Sequence, residues 1–330
     1  MTEPAPPPPI SQPIPHWPGR LVSLASGKRV WLAGTSADPS PGTSDRELVL
    51  CVHGMTGDAT NWTDLMAELT PEFDAVAMDL PGSGFSPPPS TARGYSIAAQ
   101  AAAVIELIEE LSAGPVHLVG NSMGGAVSVK VAARRPDLVR TLTLVSAALP
   151  DRRPRRDIAH FPVLALPVLG TRLVRRFGRL PAENRIAGVL QTCYYDPAAV
   201  HPDRIALSVA ELRRRDGLDY DAASIVGAAR TLVAGAFRPY AFSLWRDAAR
   251  LQMPALALFG THDKLVSPRL AGRAARTFPD VRVIVLPDTG HLGQMEHPAT
   301  VASLFREMVE ETRARGSEAG NSGRRDPVDV

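Results

Sequence analysis

The ten residues from Val116 to Gly125 constrain this chain more than any other stretch. Val116-His117-Leu118-Val119 is a mostly apolar run of the kind that forms a buried strand, and Ala126 to Ala133 continues as a helix. Between them, Gly120-Asn121-Ser122-Met123-Gly124 leaves no room for a loop. The chain must pass from strand to helix on a turn so sharp that Ser122 takes strained dihedrals and its hydroxyl projects clear of the sheet. Glycines stand two residues either side because a Cβ at either place would strike the neighbouring strand or helix. The helix that begins at the serine also aims free N–H groups and the positive end of its dipole at the same point. A glycine-rich connector without chemistry would satisfy the same pattern, so the rest of the chain decides between the two.

In chain order, Leu21 to Ala25 and Val30 to Gly34 read as an antiparallel hairpin across Ser26-Gly27-Lys28-Arg29. Glu47 to Val52 is the first wholly apolar strand and runs into His53-Gly54-Met55-Thr56-Gly57-Asp58. A helix over Trp62 to Leu69, a strand over Asp74 to Met78 and an Ala-rich helix over Ser96 to Leu111 precede the Ser122 turn. Thr141 to Val145 is the next strand. The alternation resumes with strand Ala255 to Phe259, helix Arg269 to Phe278, strand Val281 to Leu286 and helix Thr300 to Arg315. Strands alternating with helices imply right-handed crossovers and a mostly parallel sheet covered on both faces, an α/β fold.

From Leu149 to Arg250 the alternation stops, and apolar residues recur at helical spacing in Ile186 to Gln191, Ile205 to Leu212 and Ala222 to Val233. This segment, 149–250, is expected to be an inserted helical cap between two core segments, 19–148 and 251–315. Its apolar and aromatic side chains (Phe161, Leu164, Leu166, Leu169, Tyr194, Tyr195, Phe237, Tyr240, Phe242 and Trp245) are expected in part to close an apolar pocket over Ser122. Met1 to about Pro18, proline-rich and polar, and the stretch from Gly316 onward are expected to be disordered. The first lacks the basic start and apolar stretch of a secretory signal.

Three classes of function fall away on composition. A net charge of +2 over 330 residues supplies no field for nucleic acid. No run reaches the ~18 apolar residues of a membrane span, and the nearest, Ile158 to Gly170, is broken by Pro162 and Pro167. Two cysteines, Cys51 and Cys193, provide no disulfide framework, which points to a reducing cytoplasm. Lysine occurs only at Lys28, Lys130 and Lys264, so the abundance of arginine reads as coding bias. The cluster Arg152, Arg153, Arg155 and Arg156 reads by default as solvated surface, with an acidic headgroup of the substrate as the alternative.

Acyl transfer by a serine needs a base, a carboxylate to orient it, and donors for the oxyanion. In an open parallel sheet these gather at the carboxyl ends of strands. His291 follows the last strand in Leu286-Pro287-Asp288-Thr289-Gly290-His291 and is the candidate base. His16 lies in the tail, His117 inside a strand, His160 and His201 in the cap, and His297 beside Pro298. Asp263, at the end of Phe259-Gly260-Thr261-His262-Asp263, is the candidate carboxylate, with Asp288 and Asp151 as rivals. The backbone N–H groups of Met123 and Met55 are the candidate oxyanion donors. His53 competes as a second base, although a ring that shapes its loop is the preferred reading.

Taken together, His53-Gly54, Asp79-x-Pro81-Gly82-x-Gly84-x-Ser86, Gly120-Asn121-Ser122-Met123-Gly124-Gly125, Gly260-x-x-Asp263 and Gly290-His291 with Glu296 and Pro298 resemble the α/β-hydrolase superfamily. The resemblance spans Leu21 to about Arg315. It implies an α/β-hydrolase fold with an eight-stranded, mostly parallel sheet and, in most members, no metal or organic cofactor. It also implies that Asp79 to Ser86 is scaffolding; that loop lacks the lysine of a phosphate-binding loop. Members that open epoxides or remove halogens carry aspartate where this chain has Ser122. Those that cleave carbon–carbon bonds of ring-fission products share Gly-Asn-Ser-Met-Gly-Gly, but their glycine-rich loop after His-Gly is here Met55-Thr56-Gly57-Asp58. The leading expectation is a serine hydrolase acting on a carboxylic ester or thioester of a small to medium apolar substrate. Carbon–carbon cleavage, perhydrolase or haloperoxidase chemistry on the same triad, and a non-catalytic binding scaffold are the alternatives.

Overall fold

A computed structural model describes residues 13–35, 46–70, 72–112, 114–151, 153, 155–237 and 243–322. Eight strands form one sheet: β1 (Gly19–Ser23), β2 (Arg29–Gly34), β3 (Leu48–Val52), β4 (Asp74–Met78), β5 (Val116–Asn121), β6 (Val139–Val145), β7 (Ala255–Gly260) and β8 (Val281–Leu286). Their order is β1-β2-β4-β3-β5-β6-β7-β8. β1 and β2 form the expected antiparallel hairpin, β2 pairs antiparallel with β4, and every later pairing is parallel.

Strand periodicity sorts the core into two layers. Leu48, Leu50 and Val52 of β3 join one apolar cluster while Val49 and Cys51 join the other. β7 repeats this, with Ala255, Ala257 and Phe259 on the first face and Leu256 and Leu258 on the second. Side chains two apart share a face, so a strand buried on both sides must be apolar at every position. The first face is covered by α2 (Ile97–Leu111), α3 (Met123–Arg134), α9 (Leu244–Ala248) and α10 (Leu270–Thr277). α1 (Thr63–Leu69) and α12 (Pro298–Ser322), which follows the short helix α11 (Gly293–Glu296), cover the second. His117 on β5 faces that second layer, edge-on to Phe73 and Phe305, with Nδ1 on Thr141 Oγ1 at 2.8 Å and Nε2 on Glu47 at 3.3 Å. Burial pushes its pKa down to about 4, so the ring is neutral in the fold.

Between β3 and β5 the connections part in opposite directions, β3 leading outward to β4 and β5 toward β6. Such a switch point opens a crevice beyond the carboxyl ends of the two strands. The chain leaves β3 as His53-Gly54-Met55 and β5 as Ser122.

The cap helices are α4 (Phe161–Leu164), α5 (Pro167–Phe177), α6 (Ala182–Cys193), α7 (Pro202–Asp216) and α8 (Asp221–Ala236). Several expectations need correction. Against the expectation of a cap over 149–250, α9 packs on α3, with Trp245 buried and its Nε1 donating to Pro150 O. Trp245 therefore belongs to the sheet core. Against the expectation of a disordered tail over 1–18, Trp17 packs on the second core layer, its Nε1 donating to Thr63 O, and His16 Nδ1 pairs with Thr63 Oγ1. Residues 1–12 of that tail lie outside the described residues. Disorder was expected from Gly316, but α12 runs on to Ser322, and 323–330 lie outside the described residues. Among the described residues, no single helix is long and apolar enough to cross a membrane.

Candidate active site

Ser122 sits between β5 and α3 with φ +54° and ψ −118°, a strained backbone for a residue carrying a Cβ. Its N–H donates to Val145 O, and its carbonyl accepts from Ala126 and Ala148. The flanking glycines are obligatory for steric reasons. A Cβ on Gly124 would stand 2.1 Å from Val52 O and 2.4 Å from His53 O. One on Gly120 would stand 2.5 Å from Ser128 Oγ. Across the crevice, a Cβ on Gly54 would come within 3.0 Å of Ser122 Cβ, so the turn leading to Met55 passes directly beside the serine. Met123 opens α3, and the N–H groups of that first turn point out of the helix beside Ser122.

His291 follows β8 and is buried, as is Asp263 after β7. His291 Nδ1 lies 2.9 Å from Asp263 Oδ2. The other carboxylate oxygen of Asp263 accepts from the N–H groups of Leu265 at 2.8 Å and Val266 at 2.9 Å. Burial alone would raise the Asp263 pKa. The His291 charge, its hydrogen bond and the two backbone donors outweigh that and hold the carboxyl below its usual range. Of the rival carboxylates, Asp288 is exposed and offers its backbone oxygen to His297 Nε2, while Asp151 accepts from Arg153 N. Among the described residues, the carboxylate hydrogen-bonded to His291 is that of Asp263.

His53 is buried, with Nε2 accepting from Leu80 N at 2.9 Å. Nδ1 must then carry the proton it donates to Gly54 O at 2.7 Å. Burial lowers its pKa, and both nitrogens are committed, so the ring shapes its loop. Asp79 accepts from Ala59 N at 2.6 Å and Phe85 N at 2.7 Å. Burial, then the neighbouring Asp58, pushes its pKa up to about 7. Ser86 Oγ donates to Asp79 O and accepts from Trp31 N, which closes the Asp79–Ser86 loop on itself.

Three contributions depend on tertiary contact that the residues alone do not give. Asn121 Nδ2 donates to both Val145 O and His291 O at 3.1 Å, tying the His291 loop to the residue before Ser122. Nothing in the sequence distinguishes that asparagine from any spacer. The cap also reaches the site through main chain, since His291 N donates to Cys193 O at 2.6 Å. Glu296 bridges the same junction, accepting from Gly290 N at 2.9 Å and Tyr195 N at 2.7 Å, and burial raises its pKa. Finally, Arg215 of α7 donates to Thr56 O at 2.7 Å while pairing with Asp221, which steadies the turn beyond Met55. The Arg215 signal was present as Arg213-Arg214-Arg215, but its target lies far away in sequence.

The apolar side chains expected to close a pocket divide differently. Leu166 and Leu169 are exposed, and Phe237 is 81% exposed. Tyr194 is buried at the cap–core junction, its hydroxyl 3.6 Å from Met295 Sδ. Tyr195 lies against the His262 ring. Tyr240 and Phe242 lie outside the described residues, as does Arg152 of the arginine cluster. Among the described residues, no group of three or more His, Cys, Asp or Glu could hold a metal ion.

The profile of the alpha/beta hydrolase fold matches residues 47–298. Among curated relatives, the pimeloyl-[acyl-carrier protein] methyl ester esterase of Neisseria meningitidis is 28% identical over 273 residues, 79% of this chain and 76% of its own. The 2-(acetamidomethylene)succinate hydrolase of Mesorhizobium japonicum is 28% identical over 251 residues, 74% of this chain and 81% of its own. A thermophilic esterase from Thermogutta terrifontis superposes with a TM-score of 0.67 at 26% identity, covering 89% of this chain and 99% of its own. With the eight-stranded sheet and the Ser122 turn already in place, the match shows that this chain belongs to the α/β-hydrolase fold family.

Proposed function

We propose that the protein is a serine hydrolase that cleaves a carboxylic ester or thioester through an acyl-enzyme. The observation that carries the proposal is how His291 is held. Nδ1 faces the buried Asp263, and the main chain is tied by Asn121 to the residue before Ser122. Nε2 is then the nitrogen that serves Ser122.

In this reading Ser122 Oγ attacks the substrate carbonyl as its proton passes to His291 Nε2. Asp263 keeps the ring in the right tautomer and stabilises the imidazolium. The Met55 and Met123 N–H groups receive the oxyanion as it forms. Collapse breaks the carbonyl bond to the leaving oxygen or sulfur, which takes the proton from His291. Water then attacks the acyl group, giving its proton to His291, and Ser122 leaves with that proton as the acid departs. The esterase and hydrolase relatives support the class of reaction.

The test is a series of p-nitrophenyl esters and matching thioesters of rising chain length, run beside a ring-fission dienoate. Saturable ester turnover that disappears in Ser122→Ala is expected. Turnover of the dienoate without turnover of any ester would replace acyl transfer by carbon–carbon cleavage.

A further inference from the structure

The first arm of the cap carries a surface that the chemistry at Ser122 does not use. Residues 158–182 contain four arginines and no acidic residue. Leu166, which precedes Pro167, is extended (φ −73°, ψ 125°), as the ring of the following proline disfavours the helical region there. The helical stretches Arg156–Leu164 and Pro167–Phe177 therefore meet at 116°. Together they are long and apolar enough for a membrane span, but the bend rules out a straight crossing.

The bend makes an apolar tip. Val163, Leu166, Val168 and Leu169 are all exposed there, Val168 at 65% and Leu166 at 50%. Gly170 is buried on the opposite side of α5, where a Cβ would meet Leu164 O and Val226. Arg172, Arg175 and Arg176 follow Val168 at four, seven and eight residues, so they share its outward face. At 1.5 Å per residue they stand about 6 to 12 Å behind the tip. Those three and Arg179 are exposed, and none has an ion-pair partner among the described residues. Elsewhere in the cap several arginines are paired. Arg185 pairs with Asp216, Arg204 with Asp64, Arg213 with Glu183, Arg214 with Glu211 and Arg215 with Asp221.

We propose that this arm docks the protein on an anionic lipid bilayer, the apolar tip entering the headgroup boundary while the arginines behind it contact lipid phosphates. Binding at a membrane surface draws on buried apolar area together with attraction of basic side chains to anionic lipids, the two elements this arm carries side by side. A protein partner would need to supply both an apolar cleft and phosphate-like charge, whereas an anionic bilayer presents the two as layers.

Co-sedimentation of the full chain with vesicles tests this, comparing phosphatidylcholine alone with phosphatidylcholine mixed with phosphatidylglycerol. Binding to the mixed vesicles is expected, weaker on the neutral ones and reduced by salt. Arg172→Gln with Arg176→Gln should weaken it by roughly tenfold or more, from the loss of two surface charges. Val168→Ser with Leu169→Ser should weaken it comparably even at low salt. Both pairs are exposed, so unchanged thermal melting would show that the fold is intact. No sedimentation with mixed vesicles, or sedimentation unaffected by both pairs, would overturn the proposal. So would a concentration-dependent dimer abolished by Val168→Ser with Leu169→Ser, since a second copy would then cover the tip.

Discussion

The sheet and the cap solve the same problem with unequal means. The strands β3, β5 and β7 are buried along their whole length, and the two faces of the sheet feed separate apolar clusters. The cap's own cluster amounts to Ala182, Ile186 and Val209 with a few half-buried neighbours, and most of the exposed large apolar side chains lie in the cap. Buried apolar area scales with stabilisation, so the cap draws its order from attachment to the sheet rather than from a core of its own. The attachments converge on the site. Cys193 O and Glu296 hold the loop of His291, and Arg215 holds the turn beyond Met55. A region weak in packing is thus fastened where the chemistry is proposed.

The strongest way to break the comparison is to disable the sheet-borne half of the site and leave the cap alone. Asp263→Asn should lower kcat/KM by about a thousandfold or more, since the amide would hold the wrong tautomer of His291, as steady-state assays would record. Gly124→Ala attacks the same half through packing. With Val52 O only 2.1 Å from the new carbon, it should cost about 3 kcal/mol or more in denaturant unfolding.

The third expectation concerns His117, a core histidine far from the cap. Its folded pKa of about 4 lies below its unfolded value near 6.5, so the unfolded chain binds the extra proton. Its neutral burial is therefore undisturbed above about pH 6.5, and stability is lost as pH falls toward 4, by up to ~3 kcal/mol. Unfolding measured across that window should show the loss, and His117→Phe should flatten it.

On the cap side the effects shrink. Glu296→Ala removes the acceptor shared by Gly290 N and Tyr195 N. It should lower kcat/KM by roughly tenfold and make limited proteolysis cut the cap before the sheet, at a cost of about 1–3 kcal/mol for the orphaned donors. Gly188, on the exposed face of α6 with nothing near its Cβ position, is the mirror of Gly124. Gly188→Ala should raise stability by about 0.5–1 kcal/mol in the same unfolding assay.

Legibility followed the same division. Asp74–Met78 and Val281–Leu286 are the strands expected from the residues, because alternation and turn residues are local signals. β5 runs two residues past its apolar run, since Gly120 and Asn121 still pair with Leu144 and Val145. Asp263 and His291 were legible from their places after strands, and they do meet. What escaped was contact between distant segments. The Asn121 bridge to His291, the Cys193 carbonyl and the seating of α9 on α3 depend on tertiary approach, which no local pattern encodes. The bend at Pro167 was visible as a proline, but the direction of Leu166 and Leu169 was not.

The central claim is that Ser122 is activated by His291, and covalent labelling reads it without knowledge of the substrate. The protein would be treated with a serine-directed fluorophosphonate and mapped by peptide mass spectrometry. A single adduct on Ser122, lost in His291→Ala while that variant keeps its melting temperature, is the expected result. An unlabelled Ser122 in the folded protein, or labelling that persists in His291→Ala, would contradict the claim.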